Sequence, residues 1–155
     1  MKILVVSVLL CAATALTAAD GTMTSPWVQI ARRYFAYVGK SMDWPNAERN
    51  CQLLGGHLAS MHELYERNSI KNLINRYGGG DPSSWIGGSD LDREGTWEWT
   101  DGSPFDYDNW CWGQPNNKNG NNRCTFYNAG RRCRSAFPCG DQSPSVCVKL
   151  KGSEA

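Results

Sequence analysis

Six cysteines between residues 51 and 147 limit the folds that are open to this chain. They are Cys51, Cys111, Cys124, Cys133, Cys139 and Cys147, and a seventh, Cys11, lies in an apolar N-terminal segment. An even number of cysteines in an exported chain indicates disulfides, and six of them allow 15 pairings. Zinc is the alternative, but no C-x-x-C pair occurs, and His57 and His62 are far in sequence from Cys133 and Cys139. The cysteines therefore favour a small domain held by disulfides.

Residues 1–19 are typical of a secretory signal peptide. Lys2 provides the positive start, residues 3–10 are apolar, and residues 17–19 are small, as a cleavage site requires. The apolar run is too short to span a bilayer. We therefore expect cleavage near Ala19 and a secreted, extracellular domain at residues 20–155, with no transmembrane segment.

Charge and motifs argue against two classes of function. The chain has 16 Lys and Arg against 15 Asp and Glu, and loss of Lys2 with the leader makes the two numbers equal. No basic block suggests nucleic acid as a partner. Ser135 and Ser143 have no histidine partner in a recognisable frame, and His57 and His62 fit a structural role better than a metal or catalytic one. We therefore expect a binding protein rather than an enzyme.

The first half of the domain contains two helix patterns. A strand is predicted at residues 34–38, a helix begins near Pro45 and stops at residues 55–56, and a second helix stops at residues 78–80. The expected apolar positions are Ala47, Cys51 and Leu54 in the first helix, and Leu64, Ile70, Leu73, Ile74 and Tyr77 in the second. A short strand at residues 57–61 separates the helices.

The second half reads as strands separated by a long irregular segment. Strands are predicted at residues 85–88, 96–100, 123–128 and 145–150. Residues 101–122 show neither helical nor strand periodicity, and so long a segment is uncommon in a compact domain unless it is functional. The pattern predicts one α+β domain whose second half is mostly loop.

Five segments together resemble the C-type lectin-like domain, especially the small secreted lectins and type II antifreeze proteins of fish. They are MDWPNAERNCQLLGGHLASMH at 42–62, WIGG at 85–88, GTWEWTDGSPFDYDNW at 95–110, QPN at 114–116, and the four cysteines from Cys124 onward. They follow the family order over about residues 26–150. The resemblance implies two helices, small antiparallel sheets and a long irregular loop, stapled by disulfides.

The resemblance also implies how the cysteines pair. The family pairs Cys51 with Cys147 and Cys124 with Cys139, and the fish group suggests a third bridge, Cys111 with Cys133. Many members have a further N-terminal bridge, but its two positions are Ser25 and Tyr34 here. We therefore expect packing and hydrogen bonds alone to hold the N-terminal strand.

Sugar-binding members coordinate Ca²⁺ in the long loop, and the corresponding residues here are poor ligands. The family positions correspond to Gln114, Asn116, Asn122, Ser135 and Ala136. This set offers three amides, one hydroxyl and one methyl, whereas Ca²⁺ takes six to eight oxygens and favours carboxylates. The arginines at 123, 131, 132 and 134 add repulsion, although Asp106 or Asp108 would add charge if either leaned in. We expect a degenerate site that binds Ca²⁺ weakly at most, and no cofactor.

The loop nevertheless has groups suited to recognition. Trp110 and Trp112 offer flat faces on which sugar rings stack, and the amides of Gln114, Asn116 and Asn122 supply paired donors and acceptors. Asn and Gly clusters also form turns, and Trp110 fits the family core better than a binding surface. The acidic run from Asp90 to Asp101 reads as a solvated loop, with an accessory Ca²⁺ site as the alternative.

Three functions follow from the resemblance. The first is a secreted lectin-like protein that recognises glycans, for example on microbial surfaces, or a protein partner, through Trp112, Gln114, Asn116, Asn122 and Ser135 without Ca²⁺. The second is ice binding, as in the type II antifreeze proteins. The third is a Ca²⁺-dependent lectin for galactose- or mannose-type sugars; the triplet Gln-Pro-Asn is a hybrid of the two family rules and does not choose between them.

Overall fold

The computed structural model describes residues 24–152, so the expected leader lies outside the described residues. Two helices and eight strands follow one another in this part of the chain, and the predicted α+β class is confirmed. The elements are β1 Val28–Ile30, β2 Arg33–Met42, α1 Trp44–Leu53, β3 His57–Leu58, α2 Leu64–Gly78, β4 Ser84–Ser89, β5 Glu98–Trp99, β6 Asn122–Asn128, β7 Cys133–Pro138 and β8 Ser143–Leu150. None of the helices within residues 24–152 is long and apolar enough to cross a membrane.

The strands form one mixed sheet that brings the two ends of the domain together. Its order is β1-β2-β8-β4-β6-β7, with β3 also paired to β8 and β5 to β4. Strand β2 runs antiparallel to β8 with Ala36 opposite Cys147, whereas β4 lies parallel to β8. The long irregular segment leaves this sheet after β5 and returns at β6, beside the edge strand β7.

Helix α1 begins and ends for local reasons. Asp43 caps its start by accepting a hydrogen bond from the Asn46 backbone N–H at 3.0 Å, and Pro45 sits in the first turn, where a missing N–H has no cost. Ala47 and Cys51 are fully buried, as the spacing predicts. The expectation that Leu54 continues this face is wrong, because Leu54 is the C-terminal cap and is partly exposed.

Helix α2 buries a shorter stripe than the sequence suggests. Ile70, Leu73 and Ile74 lie in the core, but Leu64 is exposed at the first turn, before the helix reaches the sheet. Gly79 ends the helix with φ of 70°, a left-handed conformation that a glycine adopts without steric cost.

Two predicted strands are shorter than expected and two were not predicted. Only His57–Leu58 of residues 57–61 and only Glu98–Trp99 of residues 96–100 form a ladder. Strands β1 and β7 were missed: β1 has only three residues, and β7 carries no clear alternation of polar and apolar residues. Both lie at the sheet edges.

The structure contains three bridges, Cys51–Cys147, Cys111–Cys133 and Cys124–Cys139, the pairs that the resemblance implies. The first ties α1 to β8 in the core, where Trp85 also stacks on Phe126 at 3.9 Å between ring centroids. The N-terminal strand uses hydrogen bonds, as expected for a chain lacking the N-terminal bridge. Ser25 both donates its N–H to the Tyr37 carbonyl and accepts the Tyr37 N–H on its hydroxyl, each at 2.8 Å.

Candidate functional site

The first attachment of the long loop to the edge strand β7 lies at Cys111 and Arg134. The Cys111 N–H donates to the Arg134 carbonyl at 2.8 Å, and the Arg134 N–H donates to the Asn109 carbonyl at 2.9 Å. The Cys111–Cys133 bridge closes the same junction covalently. The part of the loop beyond Cys111 therefore leaves from a fixed base.

Gln114 is held by backbone groups on two sides. Its side-chain oxygen accepts the N–H of Asn116 at 3.1 Å and the N–H of Ala136, on β7, at 3.0 Å. The peptide bond between Gln114 and Pro115 is cis. The oxygen that the family resemblance assigns to Ca²⁺ thus joins the loop to the sheet edge by hydrogen bonds.

The remaining amides close the loop on itself. Asn122 donates its side-chain N–H to the Asn116 carbonyl at 2.7 Å, and its backbone N–H to the Asn117 side-chain oxygen at 2.9 Å. The Asn116 side-chain oxygen accepts the N–H of Lys118 at 3.1 Å. Each of these bonds uses a loop amide to fix the loop backbone, so fewer oxygens remain for an ion.

This set of residues does not fit Ca²⁺. Ala136 is buried and supplies only a methyl, and Ser135 is its neighbour on β7. Within residues 24–152, no cluster of three or more His, Cys, Asp or Glu side chains is placed to hold a metal. A neutral site with its best oxygen already bonded lacks the charge that offsets dehydration of the ion.

Asp106 and Asp108 do not lie beside the amides of Gln114, Asn116 and Asn122. They line a separate depression. That cavity has a volume of about 270 Å³ and is lined by Phe105, Asp106, Tyr107, Asp108, Trp110 and Arg134. Asp106 lies 3.5 Å from His62 Nδ1, and Asp108 accepts the Trp110 backbone N–H at 3.4 Å. Neither Gln114, Asn116 nor Asn122 lines this cavity, so the two carboxylates do not supplement the degenerate set.

Arg134 is buried, and its guanidinium packs against aromatic rings instead of facing the expected Ca²⁺ position. Its guanidinium carbon lies over the rings of Phe105 at 4.5 Å, Trp110 at 4.7 Å and Trp99 at 5.6 Å, and Nη2 donates to the Tyr107 carbonyl at 2.7 Å. Burial lowers its pKa to about 10, although the charge of Asp108 acts in the opposite direction.

The acidic run after WIGG is not simply solvated. Asp90 is buried, and its side chain accepts Arg123 Nε at 3.0 Å and the Gly95 N–H at 2.9 Å. Arg123 is therefore neutralised, and the expectation that it repels a cation in the loop is wrong. Glu94 accepts the Asn117 side-chain N–H at 3.1 Å, which links the acidic run to the long loop.

The two loop tryptophans differ in exposure. Trp112 is fully exposed at the tip, whereas Trp110 is half-buried and packs edge-on against Trp97 with 4.9 Å between ring centroids. Trp110 thus belongs mainly to the aromatic cluster beneath the loop. Trp112 is the free aromatic face that the sequence indicated.

His57 and Arg33, which border a further cavity, already have partners within the fold. His57 Nδ1 lies 2.6 Å from a Glu48 carboxylate oxygen, whose second oxygen accepts the Leu58 N–H. A cavity of about 850 Å³ runs beside His57 and the end of β8, with Arg33 in its wall. The Arg33 guanidinium already donates to Glu66 and to Ser60, so its donors are not free for a ligand.

Known proteins with similar sequences include lectins and ice-structuring proteins. Ladderlectin of Oncorhynchus mykiss is 39% identical over 120 residues, which are 77% of this chain and 63% of that protein. The chain likewise spans 56% of the galactose-specific lectin nattectin of Thalassophryne nattereri, so it covers less than two thirds of both lectins. A type-2 ice-structuring protein of Brachyopsis segaliensis is 36% identical, with 94% of this chain and 98% of that protein covered.

Solved structures and a family model indicate the same group of proteins as these relatives. The crystal structure of a calcium-independent type II antifreeze protein has a TM-score of 0.73 and 36% identity, with 81% of this chain and 94% of that chain covered. The cow CD23 carbohydrate-recognition domain has a TM-score of 0.72 and 28% identity, covering 81% and 95%. The model of the lectin C-type domain matches residues 40–149, more than half of the chain. This chain therefore belongs to the C-type lectin domain family.

Proposed function

We propose that this protein is a secreted recognition domain that binds glycans through its long loop without Ca²⁺. The observation that carries the proposal is the position of the Gln114 side-chain oxygen, which accepts the N–H groups of Asn116 and Ala136. These bonds order the loop from within, which is the structural part of what the ion does in Ca²⁺-dependent members. The loop therefore keeps a defined shape while offering no charge to a metal.

The surface suited to the glycan is the outer side of the loop around Trp112. Its indole is fully exposed, and a sugar ring stacks on such a face at low entropic cost because only two side-chain torsions are fixed. Asn119 and Asn121 are exposed on the same loop and offer both donors and acceptors. Ser135 is half-buried on β7 and is the remaining member of the expected set.

A glycan array in metal-free buffer tests this proposal. Binding is expected to be equal with EDTA and with Ca²⁺, and Trp112→Ala should abolish it while Tyr65→Ala, at another exposed aromatic residue on α2, should not. Binding that requires Ca²⁺ would instead support the galactose- or mannose-type lectin. A blank array, together with capture of one defined protein that Trp112→Ala prevents, would support a protein partner.

Ice binding is the second candidate, and the extent of similarity favours it. The type-2 ice-structuring protein matches nearly end to end, whereas the two lectins do not. A calcium-independent type II antifreeze protein also has the same fold. Thermal hysteresis of the purified domain tests this directly, because a glycan-specific protein has no reason to depress the freezing point below the melting point.

A further inference from the structure

The cavity beneath the loop contains a buried cation with unused donors. Arg134 is 1% exposed, and its Nε and Nη1 atoms have no hydrogen-bond partner among residues 24–152. None of the ion pairs in this part of the chain includes Arg134. A buried guanidinium that is only partly satisfied is costly, and this one places its positive charge in the wall of the cavity.

Two carboxylates stand at the mouth of the same cavity. Burial alternates from Phe105 to Asp108, with the aromatic residues half-buried and the aspartates exposed, which indicates an extended segment. The carboxylates of Asp106 and Asp108 therefore lie on one side of it. Within residues 24–152 each has an oxygen free for a further hydrogen bond, because only Oδ1 is in use in each case.

The charged side chains that line the cavity favour an uncharged ligand. An anion is repelled by Asp106 and Asp108 at the mouth, and a cation is repelled by Arg134 behind them. A neutral molecule with several hydroxyls meets acceptors at Asp106 and Asp108, and it meets the Trp110 ring at the wall. At about 270 Å³ the cavity lies just below the usual range for ligand sites, which suits one ring rather than an oligosaccharide.

We propose that the Arg134 cavity binds one neutral pyranose ring, with Asp106 and Asp108 accepting its hydroxyls and Trp110 packing against its face. The site requires no metal and is separate from the loop tip at Trp112. The inference rests on the proposed glycan recognition, for which it supplies a second contact and the class of sugar. A single ring held this way binds in the millimolar range, so the cavity adds to the tip instead of replacing it.

Nitrogen-15 labelling of the tryptophans gives a direct readout of the cavity. The chain has seven tryptophans, and after assignment by single Trp→Phe variants the Trp110 and Trp112 indole signals report on the cavity and the tip separately. Methyl β-D-galactopyranoside and methyl α-D-mannopyranoside are titrated to about 100 mM with EDTA present, a range that covers millimolar affinity. At least one of them is expected to shift the Trp110 indole in a saturable manner.

The double variant Asp106→Ala/Asp108→Ala tests the carboxylates. Loss of two charge-assisted hydrogen bonds is expected to weaken the Trp110 response at least tenfold. Asp92→Ala is the matched control, since Asp92 is exposed and lies outside the cavity, and it should leave the response unchanged. Unchanged shifts of the other tryptophan signals show that each variant is folded.

The outcomes separate this inference from the proposed function. Shifts confined to Trp112 overturn the cavity site and leave glycan recognition by the tip intact. A Trp110 response together with a blank array overturns the proposed function but not the cavity. The cavity proposal also falls if neither sugar moves the Trp110 signal, if the double variant binds as well as the natural protein, or if methyl glucuronide binds more tightly than the neutral sugars.

Discussion

The side-chain oxygen of Gln114 accepts the backbone N–H of Ala136 at 3.0 Å. In the family both positions belong to the Ca²⁺ ligand set, and here they bond directly to each other. The long loop and the edge strand β7 are thereby joined at the place where an ion joins them in other members. A hydrogen bond of this kind contributes about 1 kcal/mol, so its loss is measurable.

Gln114→Ala should destabilise the domain by about 1–2 kcal/mol and free the Ala136 amide for hydrogen exchange, because two backbone N–H groups lose their acceptor. Gln114→Glu keeps an oxygen in place and should preserve most of the protection. Native-state exchange followed at Ala136 distinguishes the two variants. Full protection of this amide in Gln114→Ala would show that the loop is ordered by other contacts.

The sequence predicts the parts of the fold that depend on local pattern. The start of α1 near Pro45, the end of α2 at Gly79 and the buried strand at Trp85 follow from residue types at fixed spacing. The edge strands β1 and β7 escaped prediction because their pairing depends on distant partners, such as Tyr127 opposite Arg134.

The loop illustrates what sequence alone does not give. The lack of carboxylates between Asn109 and Cys124 is visible in the sequence, and it predicts a poor Ca²⁺ site. The sequence does not show that Arg134 turns inward to the aromatic rings, since an arginine beside a cysteine is usually solvated. The Asp90–Arg123 pair was also missed, because 33 residues separate the two partners in the sequence.

Removal of the Cys51–Cys147 bridge should destabilise the domain more than removal of the Cys111–Cys133 bridge. Replacement of Cys51 and Cys147 by serine opens a loop of 96 residues and should cost about 4.7 kcal/mol in the chain-entropy model, whereas Cys111 and Cys133 enclose 22 residues and should cost about 3.4 kcal/mol. Urea denaturation of the two double variants measures the difference. Hydrogen exchange in the Cys111/Cys133 variant should rise mainly in residues 105–122; a uniform rise would contradict a local role.

Asp101 should make the stability depend on pH in the acid range. Burial raises the pKa of Asp101, but hydrogen bonds from Ser103 and Ser60 and the charge of Arg33 outweigh it, and the pKa lies below its ordinary value. The folded state therefore binds fewer protons than the unfolded state. The contribution of Asp101 is complete above about pH 3.9 and is lost as the pH falls through the lower folded value.

Asp101→Asn should be less stable than the natural protein at pH 7, and its melting temperature should fall less steeply between about pH 4 and pH 2. Asp92→Asn, at an exposed position, is the control and should follow the natural curve. Thermal melts monitored by circular dichroism across this range measure both slopes. Parallel curves for Asp101→Asn and the natural protein would assign the acid sensitivity to other carboxylates.

Calcium should leave the natural protein unchanged and stabilise a variant with the family ligands restored. The variant is Asn122→Glu/Ser135→Asn/Ala136→Asp, with Gln114 and Asn116 kept. A site with a Kd of about 10 µM would contribute roughly 2.7 kcal/mol at 1 mM Ca²⁺, a shift of several degrees for a domain of this size. The natural domain should show almost none of this, because Gln114 is already bonded and Ala136 offers no oxygen.

The matched control is Asn122→Gln/Ser135→Asn/Ala136→Asn, which has the same side-chain sizes without the two negative charges. It separates the effect of charge from the effect of packing, since both variants place a larger side chain at the buried Ala136 position. Calorimetric melts with Ca²⁺ and with EDTA should shift only the charged variant. A full shift in the natural protein would mean that Asp106, Asp108 or another group supplies the charge, and the loop would then be a functional metal site.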